Sequence, residues 1–166
     1  AKSIQWHWPN LYGEDKFVVL LGGLHIEMAA LKVVGDWLDG SGWTDILVQS
    51  GIVTSGIAES LLHAAHVKRT RHMHEVTAAS LYILRWQAYN NYCSDSDSSC
   101  DTKLEFNAWC TEMSAKHPLF LYWEIALQLE LRVLQFIRSI RLADFDLYNT
   151  SLSSLVPWFF VMDHSN

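Results

Sequence analysis

The sequence predicts a mainly α-helical, multi-helix domain with one short N-terminal strand or extended segment. Most of the chain repeats apolar residues at helical spacing, and glycines or prolines separate these stretches. Only residues 17–21 resemble a buried strand, and no other segment offers that strand a partner. The chain has 166 residues, 50% of them hydrophobic, which suits one domain over residues 1–166 with a sizeable core.

The first forty residues predict a lead-in, a strand and a helix, in that order. Residues 4–15 are aromatic and contain proline and glycine breakers, and a Gly-Gly pair follows the strand. Residues 24–38 predict a helix with a narrow polar stripe, which we expect to be buried on several sides. Because the strand lacks partners, we expect the chain to be a fragment of a longer protein.

The rest of the chain predicts further helices. One starts near Thr54 and another near Arg71, and the two are either separate or continuous. A polar loop rich in Ser and Asp occupies residues 94–102, and Asp144 is expected to cap the last helix. The predicted helices cover residues 54–66, 71–92, 104–116, 119–142 and 144–160.

Composition and cysteine spacing exclude several classes of protein. No window reaches the roughly 18 uninterrupted apolar residues of a membrane-spanning helix, so we expect no membrane partner. Cys93, Cys100 and Cys110 lack the C-x-x-C spacing of a zinc ribbon. A disulfide between Cys93 and Cys100 would suit a secreted protein, but reduced thiols in an intracellular protein are the plainer interpretation.

The reactive side chains after the Gly-Gly pair do not match a known catalytic site. His25 and Glu27 resemble the H-x-E of zinc deaminases, but residues two apart on a helix point about 200° apart. The accompanying P-C-x-x-C is absent, and Ser41 does not lie in a G-x-S-x-G turn. We therefore expect the chain to be non-enzymatic.

A group of histidines suggests a metal site, with zinc as the candidate ion. Its members share one helix face if the chain is helical without interruption, and two histidines three residues apart can bind one ion. No third strong ligand from another segment is evident, so histidines on a partly exposed helix face that bind no metal are the alternative. The candidate ligands are Glu59, His63, His66 and His74.

Two surfaces are candidates for partners. Lys68, Arg69 and Arg71 form a basic run, which suits contacts with DNA phosphates. The formal net charge of −6 argues against a broad nucleic-acid-binding face, and a solvated helix junction is the plainer interpretation of the run. Aromatic residues near both ends suit a protein partner or a homo-oligomer instead. These residues are Trp6, Trp8, Trp158, Phe159 and Phe160.

Five blocks of sequence resemble a family of transposon-derived animal proteins of the cnidarian and fish type. The resemblance covers nearly the whole chain, and its blocks are specific to the family but carry no catalytic signature. The blocks are residues 22–31 (GGLHIEMAAL), 35–43 (GDWLDGSGW), 65–71 (AHVKRTR), 127–131 (LQLEL) and 157–164 (PWFFVMDH).

The chain also has a more distant similarity to RNase H-like cut-and-paste transposases of the P-element or hAT type. This similarity implies a helical insertion at about residues 44–117 and a terminal catalytic acid at Glu124 or Glu130, in a site that holds two metal ions. Two glycines stand where the pattern places an aspartate after the strand. An alternative is that both glutamates form the solvated edge of an amphipathic helix.

The resemblance therefore implies a catalytically inactive, transposase-derived helical domain that retains an association with nucleic acid, which would place it in the nucleus. The alternative function is a helical scaffold for protein–protein interaction that uses the aromatic surface. A histidine-rich metal-binding domain is the minor alternative.

Overall fold

The computed structural model describes residues 2–17, 22–95 and 103–162, and it confirms a mainly α-helical fold. These ranges contain nine helices and no strand. The strand predicted at residues 17–21 falls, apart from its first residue, outside the described part of the chain. The helices are α1 (Lys2–His7), α2 (Pro9–Tyr12), α3 (Gly23–Leu38), α4 (Trp43–Gln49), α5 (Ser55–Leu62), α6 (Val67–Asp95), α7 (Phe106–Lys116), α8 (Pro118–Leu142) and α9 (Phe145–Val161).

Helix α8 lies at the centre of the fold and packs against α3, α6, α7 and α9. Its buried residues recur every three or four positions, as expected for a helix with one continuous apolar face. On that face Ala126, Leu129, Val133 and Phe136 are completely buried. Helix α3 contributes a matching buried stripe and also packs against α5 and α9, so α3 and α8 together form most of the core.

Helix α3 approaches α5 closely at Gly35. A Cβ atom at this position would lie 2.0 Å from the carbonyl oxygen of Leu62, well inside van der Waals contact. Glycine is therefore required for this approach, and the backbones of the two helices pack directly on each other.

The sequence does not decide whether α5 and α6 form one continuous helix. In the structure they are two separate helices. Ala64 adopts the left-handed conformation with φ of 52°. The N–H groups of Ala64 and Ala65 donate to the carbonyl oxygens of Leu61 and Ser60, respectively, which is the pattern of a Schellman motif. Residues on α5 and α6 consequently do not share one uninterrupted helix face.

The ends of the chain are held differently. At the start, α1 and α2 pack against each other, and the Nε2 of Gln5 donates to the carbonyl oxygen of Phe17. Near the end, the Oδ1 of Asp144 accepts a hydrogen bond from the N–H of Leu147 at 2.9 Å, which confirms the predicted cap of α9.

Candidate functional site

The basic run lies at the start of α6, and only part of it is available to a partner. Lys68 and Arg69 are exposed. Arg71 donates instead to the Oε1 of Glu27, from Nη2 at 2.5 Å and from Nε at 2.8 Å. Glu27 is itself buried on α3, so this ion pair joins α3 to α6. The guanidinium of Arg71 is therefore occupied, and the predicted phosphate-binding run is reduced to two residues.

A groove lies beside this run, between the loop that follows α4 and the first turns of α6. Its volume is about 540 Å³. Most of its lining is apolar, and we call these apolar residues, Ile52, Val53, Ile57 and Met73, the floor. Arg69 and His72 provide polar groups from α6. We name this feature the α5–α6 groove; it is lined by Gly51, Ile52, Val53, Thr54, Ile57, Arg69, His72 and Met73.

The candidate metal ligands do not come together as the continuous-helix hypothesis requires. Glu59, His63 and His66 are exposed on α5 and the turn after it, whereas His74 is completely buried on α6. Because the Schellman motif interrupts the helix, these four residues do not share one face. Across residues 2–17, 22–95 and 103–162, no group of three or more His, Cys, Asp or Glu side chains could hold a metal ion. A zinc site stays a prediction without support from this placement.

His74 belongs to a buried polar centre that sequence reasoning missed. Its Nδ1 lies 2.8 Å from the Oε1 of Glu130, and neither side chain reaches solvent. The indole of Trp43 stacks on the imidazole, with ring centroids 5.3 Å apart, and donates from Nε1 to the Oγ1 of Thr77. The centre therefore connects α4, α6 and α8 inside the core. The interpretation of Glu130 as part of a solvated helix edge is wrong.

Burial controls the protonation of this centre. Burial raises the pKa of Glu130, and the neighbouring His74 opposes that rise only in part. Two of its buried polar atoms, the Nε2 of His74 and the Oε2 of Glu130, have no hydrogen-bond partner among the described residues. The pair can hold a proton between a carboxyl and an imidazole, but neither group can reach a substrate in this conformation.

Glu124, the other candidate for a terminal acid, is also engaged. Its two carboxylate oxygens accept from the Nη1 of Arg85 at 2.8 and 2.9 Å, and both side chains are largely buried. The guanidinium also lies over the rings of Tyr82 and Phe106. The interpretation of Glu124 as a solvated edge is therefore wrong as well, since the carboxylate ties α8 to α6.

The structure divides the predicted aromatic surface into exposed and packed residues. Trp6, Trp8 and Phe160 are exposed. Trp158 and Phe159 are half-buried against the core, and Trp158 makes an edge contact with the ring of Trp37. Trp158 consequently supports the fold, and the exposed members of the group lie at opposite ends of the chain.

A different apolar surface lies on the second half of α6. Residues 76–94 contain one charged side chain, Arg85, and it points toward α8. Four large apolar residues of this stretch are between 45% and 59% exposed: Tyr82, Ile83, Leu84 and Trp86. The sequence marks this apolar surface by its lack of charged residues, in contrast to the charged first turns of the same helix.

The cysteines in the described ranges are free thiols. Cys93 and Cys110 are both partly buried. Burial raises the pKa of the Cys110 thiol, with Arg85 opposing the rise and Glu124 adding to it. Cys100, the candidate disulfide partner of Cys93, lies outside the described residues.

Comparison with known proteins identifies a sequence family. All 166 residues match a family described as a domain of unknown function, DUF8702. The chain belongs to the DUF8702 family. No curated protein and no solved structure matches it. In the described part of this DUF8702 chain, no helix is both long and apolar enough to cross a membrane. The resemblance to transposon-derived proteins stays a prediction.

Proposed function

We propose that this domain is a protein-interaction module that pairs with a second copy of itself through the second half of α6. The surface concerned is named the α6 face, and its centre is Ile83. Ile83 precedes Arg85 by two residues, and at about 100° per residue the two side chains point in nearly opposite directions. Because Arg85 is directed toward α8, Ile83 points away from the core. The α6 face consists of Ala79, Ile83, Trp86, Gln87 and Asn90, with Tyr82 and Leu84 at its two opposite edges.

The composition of the α6 face supports a protein partner. The centre of a protein interface is depleted in charge and enriched in aromatic residues, and this face has Tyr82 and Trp86 beside aliphatic side chains. Tyrosine and tryptophan are also the residues that most often dominate binding energy. The amides of Gln87 and Asn90 provide polar groups without charge. The face therefore has the character of an interface core rather than of a solvated surface.

The absence of charge also favours a second copy as the partner. In a symmetric dimer the same patch meets itself, so a charge near the two-fold axis would face its own copy. The α6 face contains none. Residues 79–90 span about 17 Å of helix, which is at the small end of what a specific interface needs. We therefore expect a reversible dimer whose stability changes little with salt.

Matched substitutions test this proposal. Ile83→Asp places an unpaired charge at the centre of the α6 face and should convert a dimer into a monomer. Ile46→Asp makes the same chemical change on α4, at a side chain that is 59% exposed and lies off the face, and should leave the dimer intact. Light scattering during size-exclusion chromatography measures both, and circular dichroism checks that each variant stays folded.

Two results would contradict the proposal. One is a wild-type protein that stays monomeric up to about 200 µM, which would mean an association free energy weaker than about −5 kcal/mol. The other is equal loss of the dimer in both variants. The aromatic variant Trp158→Ala is unsuitable for this test, because Trp158 packs on the core.

Association with DNA is the second candidate function. The exposure of Lys68 and Arg69 at the start of α6 supports it, as does the resemblance to transposon-derived proteins. Contacts from only two cations to DNA phosphates would release few counterions from the DNA. Binding of a duplex would therefore be weak and would decrease with added salt. Arg69→Glu would abolish such binding, whereas Arg71→Glu would mainly break the ion pair with Glu27.

A further inference from the structure

We infer that the α5–α6 groove binds a short peptide segment that carries an acidic side chain next to an apolar one. This site is separate from the α6 face and does not depend on self-association. Two different properties of the groove carry the inference. They are the positive charge on its α6 side and the apolar character of its floor.

The charge comes mainly from Arg69. Its side chain lines the groove and is exposed, in contrast to Arg71, which Glu27 holds. His72 lines the same wall, with its Nδ1 lying 3.5 Å from a carboxylate oxygen of Glu75, so part of any charge on the imidazole is already balanced. Arg69 is therefore the group expected to bind a carboxylate, with two parallel N–H donors available.

The apolar floor favours a peptide over nucleic acid. Ile52, Val53, Ile57 and Met73 line it, and the side chain of Ile52 is about half exposed. A phosphate backbone gains nothing from such a floor, whereas an apolar side chain beside a carboxylate is removed from water there. The net charge of −6 also disfavours a long polyanion more than a short segment with one or two acids.

The size of the groove limits the ligand. Its volume of about 540 Å³ lies within the range of sites that hold small ligands. This space suits a few side chains rather than a whole helix. A tetrapeptide is therefore a suitable probe of the groove.

Fluorescence anisotropy with labelled probes tests the inference. The probes are the peptide Glu-Leu-Asp-Phe, its uncharged counterpart Gln-Leu-Asn-Phe and a DNA duplex, each titrated at low and physiological salt. The acidic peptide should bind, and the uncharged one should bind at least about tenfold more weakly. Arg69→Glu should abolish binding of the acidic peptide. Arg138→Glu, which reverses an exposed charge on α8, should leave it unchanged.

A substitution in the floor distinguishes the peptide from DNA. Ile52→Ser should weaken the acidic peptide severalfold, because it removes apolar contact from the floor, and should leave DNA unaffected. Binding of the duplex but not of the acidic peptide would overturn the inference, as would peptide binding that is indifferent to both Arg69→Glu and Ile52→Ser. The variant Ile83→Asp should bind the peptide normally, so failure of this inference and failure of self-association give different results.

Discussion

At the scale of single residues, the buried centre formed by His74 and Glu130 is the feature least evident from the sequence. His74 resembled the exposed histidines before it, and Glu130 resembled the polar edge of an amphipathic helix. The two side chains are 56 positions apart, and the hydrogen bond between them offsets part of the cost of burying both. Such mutual dependence leaves no local pattern, so sequence reasoning could not find it.

The protonation of Glu130 gives a prediction for the pH dependence of folding. Burial raises the pKa of this carboxyl above its ordinary value of 4.5, so the folded state binds a proton that the unfolded state releases. Its contribution to stability is therefore greatest at low pH and decreases as the pH rises from 4.5 through the pKa of the folded state. Each unit by which the pKa is raised corresponds to about 1.4 kcal/mol.

Glu130→Gln tests this effect because glutamine has a similar shape and does not titrate. We expect the stability of the wild type relative to this variant to decrease as the pH rises from the acidic range to neutrality. Urea unfolding across that pH range gives the two free energies of unfolding. A wild type that gains stability over the variant with rising pH would show that the carboxylate, not the carboxylic acid, is the favoured form.

At the scale of helices, the apolar periodicity predicted the long elements well. Residues 24–38, 104–116, 119–142 and 144–160 correspond closely to α3, α7, α8 and α9. Helices α3 and α8 each bury a regular apolar stripe, which is the pattern that the sequence shows. The sequence pattern did not predict the short helix α4, which lies between Gly42 and Gly51. The separation of α5 from α6 was left open because alanine, rather than glycine, occupies the left-handed position of the Schellman motif.

The contact between α3 and α5 gives a prediction at this scale. Gly35→Ala would place a methyl group against the carbonyl of Leu62, so the two helices must move apart. We expect a loss of about 3 kcal/mol or more in the free energy of unfolding, since a backbone clash in a core cannot relax by rotamer change. Thermal or urea unfolding measures it.

Gly56→Ala is the matched control for this substitution. Gly56 lies in the first turn of α5, and nothing lies within 4 Å of the position of an added Cβ atom. This change should be neutral or stabilising by about 0.5 kcal/mol, because alanine loses less backbone entropy on folding. Similar effects at both positions would show that the helices are not in direct backbone contact at Gly35.

At the scale of the whole molecule, the groups considered for function fall into two sets: those paired with each other between helices, and those available to a partner. The ionic groups that the sequence offered for chemistry, Glu27, Arg71, Glu124 and Glu130, pair across the α3, α6 and α8 helices and hold the fold together. The groups left free are the uncharged α6 face and the α5–α6 groove. Helix α6 thus contributes to both surfaces, the groove through its charged first part and the α6 face through its uncharged second part.

This division explains why the candidate sites were only partly predictable. Lys68 and Arg69 were found because a basic run is visible in the sequence, and they remain available. Most of the apolar floor of the groove comes from Ile52, Val53 and Ile57, which precede Arg69 by 12 to 17 positions, so only the fold brings them to Arg69. A self-associating module with a separate peptide-binding groove would bind two different partners at once, and thereby act as a scaffold.

Hydrogen–deuterium exchange at two protein concentrations tests the central proposal most directly, because it requires no substitution. Amides in an exposed helix exchange through local opening, and pairing of two copies must be broken before α6 can open. From about 5 µM to about 200 µM, exchange in residues 79–91 should become slower, while α4 should be unaffected. Identical exchange in residues 79–91 at both concentrations, or slowing confined to other helices, would contradict self-association through the α6 face.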